Sequence, residues 1–275
     1  MKDKIVLVTG ATDGIGKQTA LELAQLGARV LAHGRSAERC RAVVEEIKQR
    51  TGNEADYLVA DFASLQQVRA MAAEVKAKHD RLRVLVHNAG VLMRERRLTG
   101  DGLETTFAVN HLAPFLLTHL LLDLLKASAP ARIVVVSSGT HQSAKVDFGN
   151  LQGEKRYDGY AAYALSKLGN VLFAYELAER LAGTGVTVNC LHPGVIATKL
   201  LRAGWGGRGN GLAEGAETLV YLASSPEVEN VTGKYFVRKR ETPSSPASHD
   251  EKLRKEFWKV SERLVEKKGG SSLSQ

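Results

Sequence analysis

An apolar run, Lys4-Ile-Val-Leu-Val-Thr9, gives way to the glycine-punctuated stretch Gly10-Ala-Thr-Asp13-Gly14-Ile-Gly16 and then to the helical pattern Gln18-Thr-Ala-Leu-Glu-Leu-Ala-Gln-Leu26. Strand, tight loop, helix is what β-branched enrichment, glycine and then 3.6-residue periodicity dictate. The order repeats. Arg29 to His33 precedes a helical pattern over about 37–50, and Ala55 to Ala60 precedes another over about 64–79. Further strands are expected at Arg83 to His87, Arg132 to Ser137, Val186 to Leu191 and Lys234 to Val237. Such alternation predicts an α/β protein, a doubly wound parallel sheet with helices on both faces. At 275 residues the chain can bury one large core, and residues 1–266 read as a single domain. Residues 250–266 read as a charged amphipathic helix, and the Gly/Ser-rich residues 267–275 as a frayed tail.

The loop after the first strand suits a dinucleotide. Gly10, Gly14 and Gly16 permit a tight turn and let backbone amides at the helix start approach a pyrophosphate, with Thr12, Asp13 and Ile15 filling the loop. After the second strand comes His33-Gly34-Arg35-Ser36, without the carboxylate that would accept from an adenosine ribose hydroxyl. Arg35 stands there instead, and a guanidinium pairs well with a 2′-phosphate, which predicts NADP(H). A solvated arginine at a helix start is the plainer alternative. Further on, Tyr163-Ala-Leu-Ser-Lys167 places a phenol and an ammonium on one helix face, where the cation can favour phenolate. Ser138 ends the strand Ile133-Val-Val-Val-Ser-Ser at the carboxyl edge of the sheet, where open α/β folds bind ligands.

These motifs resemble the short-chain dehydrogenase/reductase family, whose pattern Thr-Gly-x-x-x-Gly-x-Gly is met by Thr9 to Gly16. The resemblance implies a Rossmann-type fold and carries several roles with it. Asp61 would contact adenine, although a helix cap is its bland reading. Asn88-Ala89-Gly90 matches the family's Asn-Ala-Gly motif. Pro193, Gly194 and Thr198 match the segment that holds the nicotinamide amide, though a Pro-Gly pair also makes an ordinary turn. Tyr163 would exchange the proton and Lys167 would also grip the nicotinamide ribose. Ser138, rather than its rival Ser137, would bind the substrate oxygen, and Asn110 would support a proton relay. Ser138 and Tyr163 are 25 residues apart, and this spacing, with Asn150 to Tyr157 and Gly233-Lys-Tyr-Phe236, resembles the retinol dehydrogenase-like branch. That branch implies a hydrophobic ketone or aldehyde and its alcohol as substrates. It also implies a homodimer or homotetramer using the apolar helices around 112–126 and 160–182, whose apolarity burial within one subunit would equally explain.

The formal charge of +8 is spread over several helices rather than gathered in one stripe, which argues against nucleic acid. Cys40 and Cys190 lack metal-ligand spacing, so no metal site and two reduced thiols are expected. Met1-Lys-Asp-Lys runs straight into the first strand, and the Leu-rich residues 112–125 are broken by Pro114, His119 and Asp123; a cytoplasmic protein without a transmembrane segment is the expectation. His111, His141 and His192 have no evident triad or metal partner and read as structural or pocket-lining. Residues 139–158 are expected to overlie the site, and residues 199–211, with their glycines and Trp205, to form a lid or a plain loop. Two other readings stay open: an NADP(H)-responsive binding protein without catalysis, and a reductase of ring double bonds.

Overall fold

The computed structural model describes residues 1–204 and 206–267. Seven strands follow one another in parallel: β1 (Ile5–Val8), β2 (Arg29–Gly34), β3 (Ala55–Val59), β4 (Val84–His87), β5 (Ala131–Val136), β6 (Val186–His192) and β7 (Lys234–Val237). A two-residue strand, β8 (Arg240–Glu241), turns back antiparallel on β7. The order across the sheet is β3-β2-β1-β4-β5-β6-β7-β8, so the winding reverses between β1 and β4. The crevice outside the strand ends at such a reversal is where open α/β sheets hold ligands.

Alternation along the strands supplies both faces of the core. Val6, Val8, Val84, Val86, Val134 and Val136 face one layer, built from α1 (Gly14–Gln25), α2 (Ala37–Thr51) and α8 (Leu212–Ser224). Leu7, Leu31, Leu85, Ile133 and Val135 face the other, built from α3 (Leu65–Lys78), α5 (Ala113–Ala127), α6 (Gly159–Arg180) and α9 (Glu251–Lys267). The short helices α4 (Thr105–Phe107) and α7 (Lys199–Gly204) complete the set. Helix starts are fixed by short polar side chains that accept orphan backbone amides: Ser36 from Arg39, Ser64 from Gln67 and Asp158 from Ala161.

Between α4 and α5 the chain widens into a π turn over Ala108–Leu112. Pro114 explains it: proline has no N–H to close the α-helical bond to the Asn110 carbonyl, and its ring would press on that oxygen. Thr105–Ala127 is nevertheless one continuous apolar rod, long and apolar enough to cross a membrane by length and composition, against the expectation from its interruptions. In the fold, 72% of its most apolar window is buried in the protein core. Cys40 and Cys190 are both buried and free.

Candidate active site

Gly10 and Gly14 adopt φ values of +66° and +55°, a left-handed backbone that glycine enters without strain. Gly16 is excluded from carrying a side chain for another reason. A Cβ there would lie 2.3 Å from both the Asn88 Nδ2 and the Gly10 carbonyl oxygen. Asn88 in fact spends its amide on this loop, donating to Thr9 O at 2.9 Å and Gly10 O at 3.3 Å, while Thr9 Oγ1 accepts from the amides of Asn88 and Ala89. The loops after β1 and β4 are thereby welded, and Ala89 and Gly90 are left lining the crevice.

The crevice is a cavity of about 770 Å³ running from Arg35 and Asp61 at one end, past the glycine loop, to Ser138, Tyr163, Lys167, Pro193, Gly194 and Thr198. At the first end Asp61 accepts from the Ala63 amide at 3.0 Å; Ser64, not Asp61, caps α3. Arg39, one helical turn beyond Arg35, also lines the crevice, donating to Thr12 O at 3.1 Å and to Asp13 at 3.0 Å. Asp13 caps α1 through the Gly14 amide and takes a second cation, Lys199, at 2.6 Å. Lys199 first, then Gly14 and Arg39, hold its carboxyl below the usual range. His33 sits under the loop, accepting from the Gly10 amide and stacked on Phe62 at 4.3 Å. Burial pulls its pKa down to about 4. Sequence reasoning missed Arg39, His33 and Lys199; only Arg39 left a signal, its position four residues after Arg35.

At the other end α6 presents Tyr163 and Lys167, 4% and 3% exposed, so both are desolvated. Burial pushes the phenol up to about 12, against a hydrogen bond with Ser138 that lowers it. Burial likewise pulls the Lys167 ammonium down to about 8. This reverses the expected sign for the tyrosine: the ammonium, 5.6 Å from the ring centroid, does not outweigh desolvation. Lys167 Nζ donates to Val136 O at 3.1 Å. Ser137 turns the opposite way and donates to Lys167 O, which leaves Ser138 as the serine beside Tyr163. Asn110 is wholly buried within the π turn. Its amide group is committed to the Val91 N–H and C=O at 2.8 and 2.9 Å and to Ser166 at 3.0 Å. It nonetheless adjoins the couple, because a Cβ on Gly90 would lie 3.4 Å from Asn110 Oδ1 and 3.5 Å from Lys167 Nζ.

Gly194, at φ +94°, turns the chain after β6, and Thr198 faces Gly14 across the crevice. The segment expected as lid or loop begins with helix α7. Arg94 donates twice to Ala203 O, Tyr160 donates to Gly204 O, and Asn210 bonds to Val195 and Ala197. Trp205 lies outside the described residues. Of residues 139–158, expected to overlie the site, only Gly139 and Thr140 line the cavity; Gln152 and Tyr157 pack beside residues 93–104, through Arg96 to Gln152 O and Tyr157 to Met93 O. Among the described residues no cluster of His, Cys, Asp and Glu is placed to hold a metal.

A glycine-lined cradle at a helix start, leading to a buried phenol and ammonium, fits a dinucleotide and defines an α/β oxidoreductase. The short chain dehydrogenase profile matches residues 4–205. Mouse retinol dehydrogenase 13 is 44% identical over 95% of this chain and 84% of its own length. Human retinol dehydrogenase 12 is 42% identical over 95% of this chain and 86% of its own. Among solved structures, a protein of uncharacterized function from Mycobacterium paratuberculosis superposes with TM-score 0.82 at 28% identity, over 100% of this chain and 96% of that one. A short chain dehydrogenase of Escherichia coli CFT073 complexed with NADPH gives 0.73 at 27% identity, over 87% and 98%. The chain belongs to the short-chain dehydrogenase family, and within it is retinol dehydrogenase-like.

Proposed function

We propose that the protein is an NADP(H)-dependent enzyme interconverting a hydrophobic ketone or aldehyde and its alcohol, built as one domain over residues 1–266 and working in the cytoplasm. One observation carries the reading: the Tyr163 phenol is buried, hydrogen-bonded to Ser138, and one helical turn from Lys167. NADP(H), when bound, supplies or accepts the hydride. With its pKa pushed up to about 12, Tyr163 is a protonated phenol at neutral pH, the form that can give a proton to a carbonyl oxygen. Ser138 holds that oxygen beside the phenol, and Lys167 favours negative charge developing there. Asn110 acts indirectly, through its hold on the backbone at Val91 next to Gly90. The 2′-phosphate falls to Arg35 and Arg39, which line the adenosine end. The NADPH complex of the Escherichia coli relative and the names of the retinol dehydrogenases support the cofactor and the substrate class.

The test is oxidation of NADPH and NADH against aromatic ketones, medium and long aldehydes and retinal, for the wild type and Tyr163→Phe. The expected result is NADPH-dependent turnover that falls by at least about a hundredfold in the variant, which keeps NADPH affinity. An active Tyr163→Phe would remove the tyrosine from this role.

A further inference from the structure

His141 does not line the cavity, is fully buried, and lies three residues beyond Ser138 in a 3-10 turn over Gly139–Ser143. The Ser138 carbonyl receives two bonds from this one residue, the backbone amide at 3.2 Å and ring Nδ1 at 2.7 Å. The other ring nitrogen, Nε2, accepts from the Ser245 amide at 3.1 Å. A backbone N–H can only donate, so Nε2 must be bare and the proton must sit on Nδ1, the tautomer that the Ser138 carbonyl requires. Ser245 is itself anchored. Its neighbour Ser244 lies 2.8 Å from the Tyr175 hydroxyl, 2.7 Å from Ser248 Oγ and 3.1 Å from His249 Nε2. Tyr175 is on α6, the helix that carries Tyr163 and Lys167. Ser138 is therefore tied to α6 twice, directly at Tyr163 and by a long way round through His141.

We propose that His141 is a positioning residue for Ser138, holding that hydroxyl in register with Tyr163 through a neutral Nδ1–H imidazole strung between the Ser138 carbonyl and the Ser245 amide. The role rests on Ser138 holding the substrate oxygen. It is also pH-sensitive. Protonation would set Nε2–H against the Ser245 N–H, two donors face to face, and release the strut. Burial lowers the ring's pKa below the ordinary histidine value, so release belongs to the acid side. The titratable groups facing the ring are His192 at the end of β6, itself shifted down, and Tyr235 on β7, shifted up, at 4.8 Å between rings. Neither is an anion that would hold a proton on His141.

His141→Leu and His141→Asn are compared with the wild type by kcat across pH 5–8 on a carbonyl that the wild type reduces, and by NADPH fluorescence titration. Asparagine keeps a donor near the Nδ1 position and does not titrate. We expect kcat of the leucine variant to fall by about tenfold or more, since small misplacements of a reacting group are costly, with NADPH affinity within about twofold. The asparagine variant recovers most of kcat and lacks the acid limb of the wild type. A leucine variant at wild-type kcat overturns the proposal, as does an asparagine variant that keeps the limb; if leucine fails to fold, asparagine decides. The ring's tautomer, read by ¹⁵N NMR on wild type, is independent of turnover: protonated Nε2 refutes His141's role. A wild type that reduces no carbonyl while showing Nδ1–H counts against the carbonyl reading and leaves the strut standing.

Discussion

His33, His87 and His111 are buried rings whose pKa values burial pulls down to about 4, 3 and 3. An exposed histidine in the unfolded chain titrates near ~6.5, so between the two values the unfolded state holds more protons than the folded one. Stability therefore rises with pH through that window and is lost as pH falls below about 6.5. The urea midpoint at pH 5 is expected to lie below that at pH 7, the unfolding free energy being lower by an amount on the order of 1 kcal/mol per ring. Equal midpoints would mean that these rings are not buried neutral. The sequence placed His33 and His87 in strands and read His111 as structural or pocket-lining, but the size of their shifts was not legible, because desolvation is set by the packing around each ring. Tyr163, Lys167 and Ser138 were legible because helix spacing and strand ends fix their neighbours locally. The phenol's raised pKa was not, because desolvation depends on everything packed around the ring.

Elements close to a motif were readable and those set by distant contacts were not. The seven parallel strands and the glycine loop follow from patterns that are local in the chain. β8 left no mark, because its two-residue turn uses Arg238 and Lys239 at φ +49° and +62° where Asn-Gly or Asp-Gly would announce a hairpin. Residues 139–158 were assigned to the site from their position in the chain; Gly139 and Thr140 do line it, but Gln152 and Tyr157 are drawn to residues 93–104 by tertiary contacts that the sequence does not announce. The glycine loop makes the sharpest demand of any element. Gly16→Ala drives a methyl group into Asn88 and the Gly10 carbonyl, so the loops after β1 and β4 must part. NADPH affinity is expected to weaken by about tenfold or more in a fluorescence titration, as phosphate contacts depend on where the loop amides point. Unchanged affinity would show that the weld between the loops is not needed for the cradle.

Across the whole molecule, the apolar faces of α5 and α6 that suggested subunit pairing are met by α9 of the same chain. Trp258 packs on Phe115 and Phe173 at 4.9 and 6.0 Å, and Arg180 lies 4.2 Å over its ring. Phe257 meets Phe107 at 6.0 Å, Ser261 bonds to His111 at 2.8 Å, and Arg254 pairs with Glu179. Trp258→Ala is expected to cost about 3–5 kcal/mol in urea unfolding, the range for emptying a buried aromatic site. A loss near zero would mean that α9 merely rests on the bundle. There is also a consequence for how the molecule is made. The helix bearing Tyr163 receives its outer cover from residues some eighty positions later, beyond the family-matched stretch of 4–205. During synthesis, α5 and α6 leave the ribosome with that face bare, and until α9 follows it is open to chaperones and to wrong partners. Burial of the helix that carries Tyr163 is complete only once the last described helix has been made.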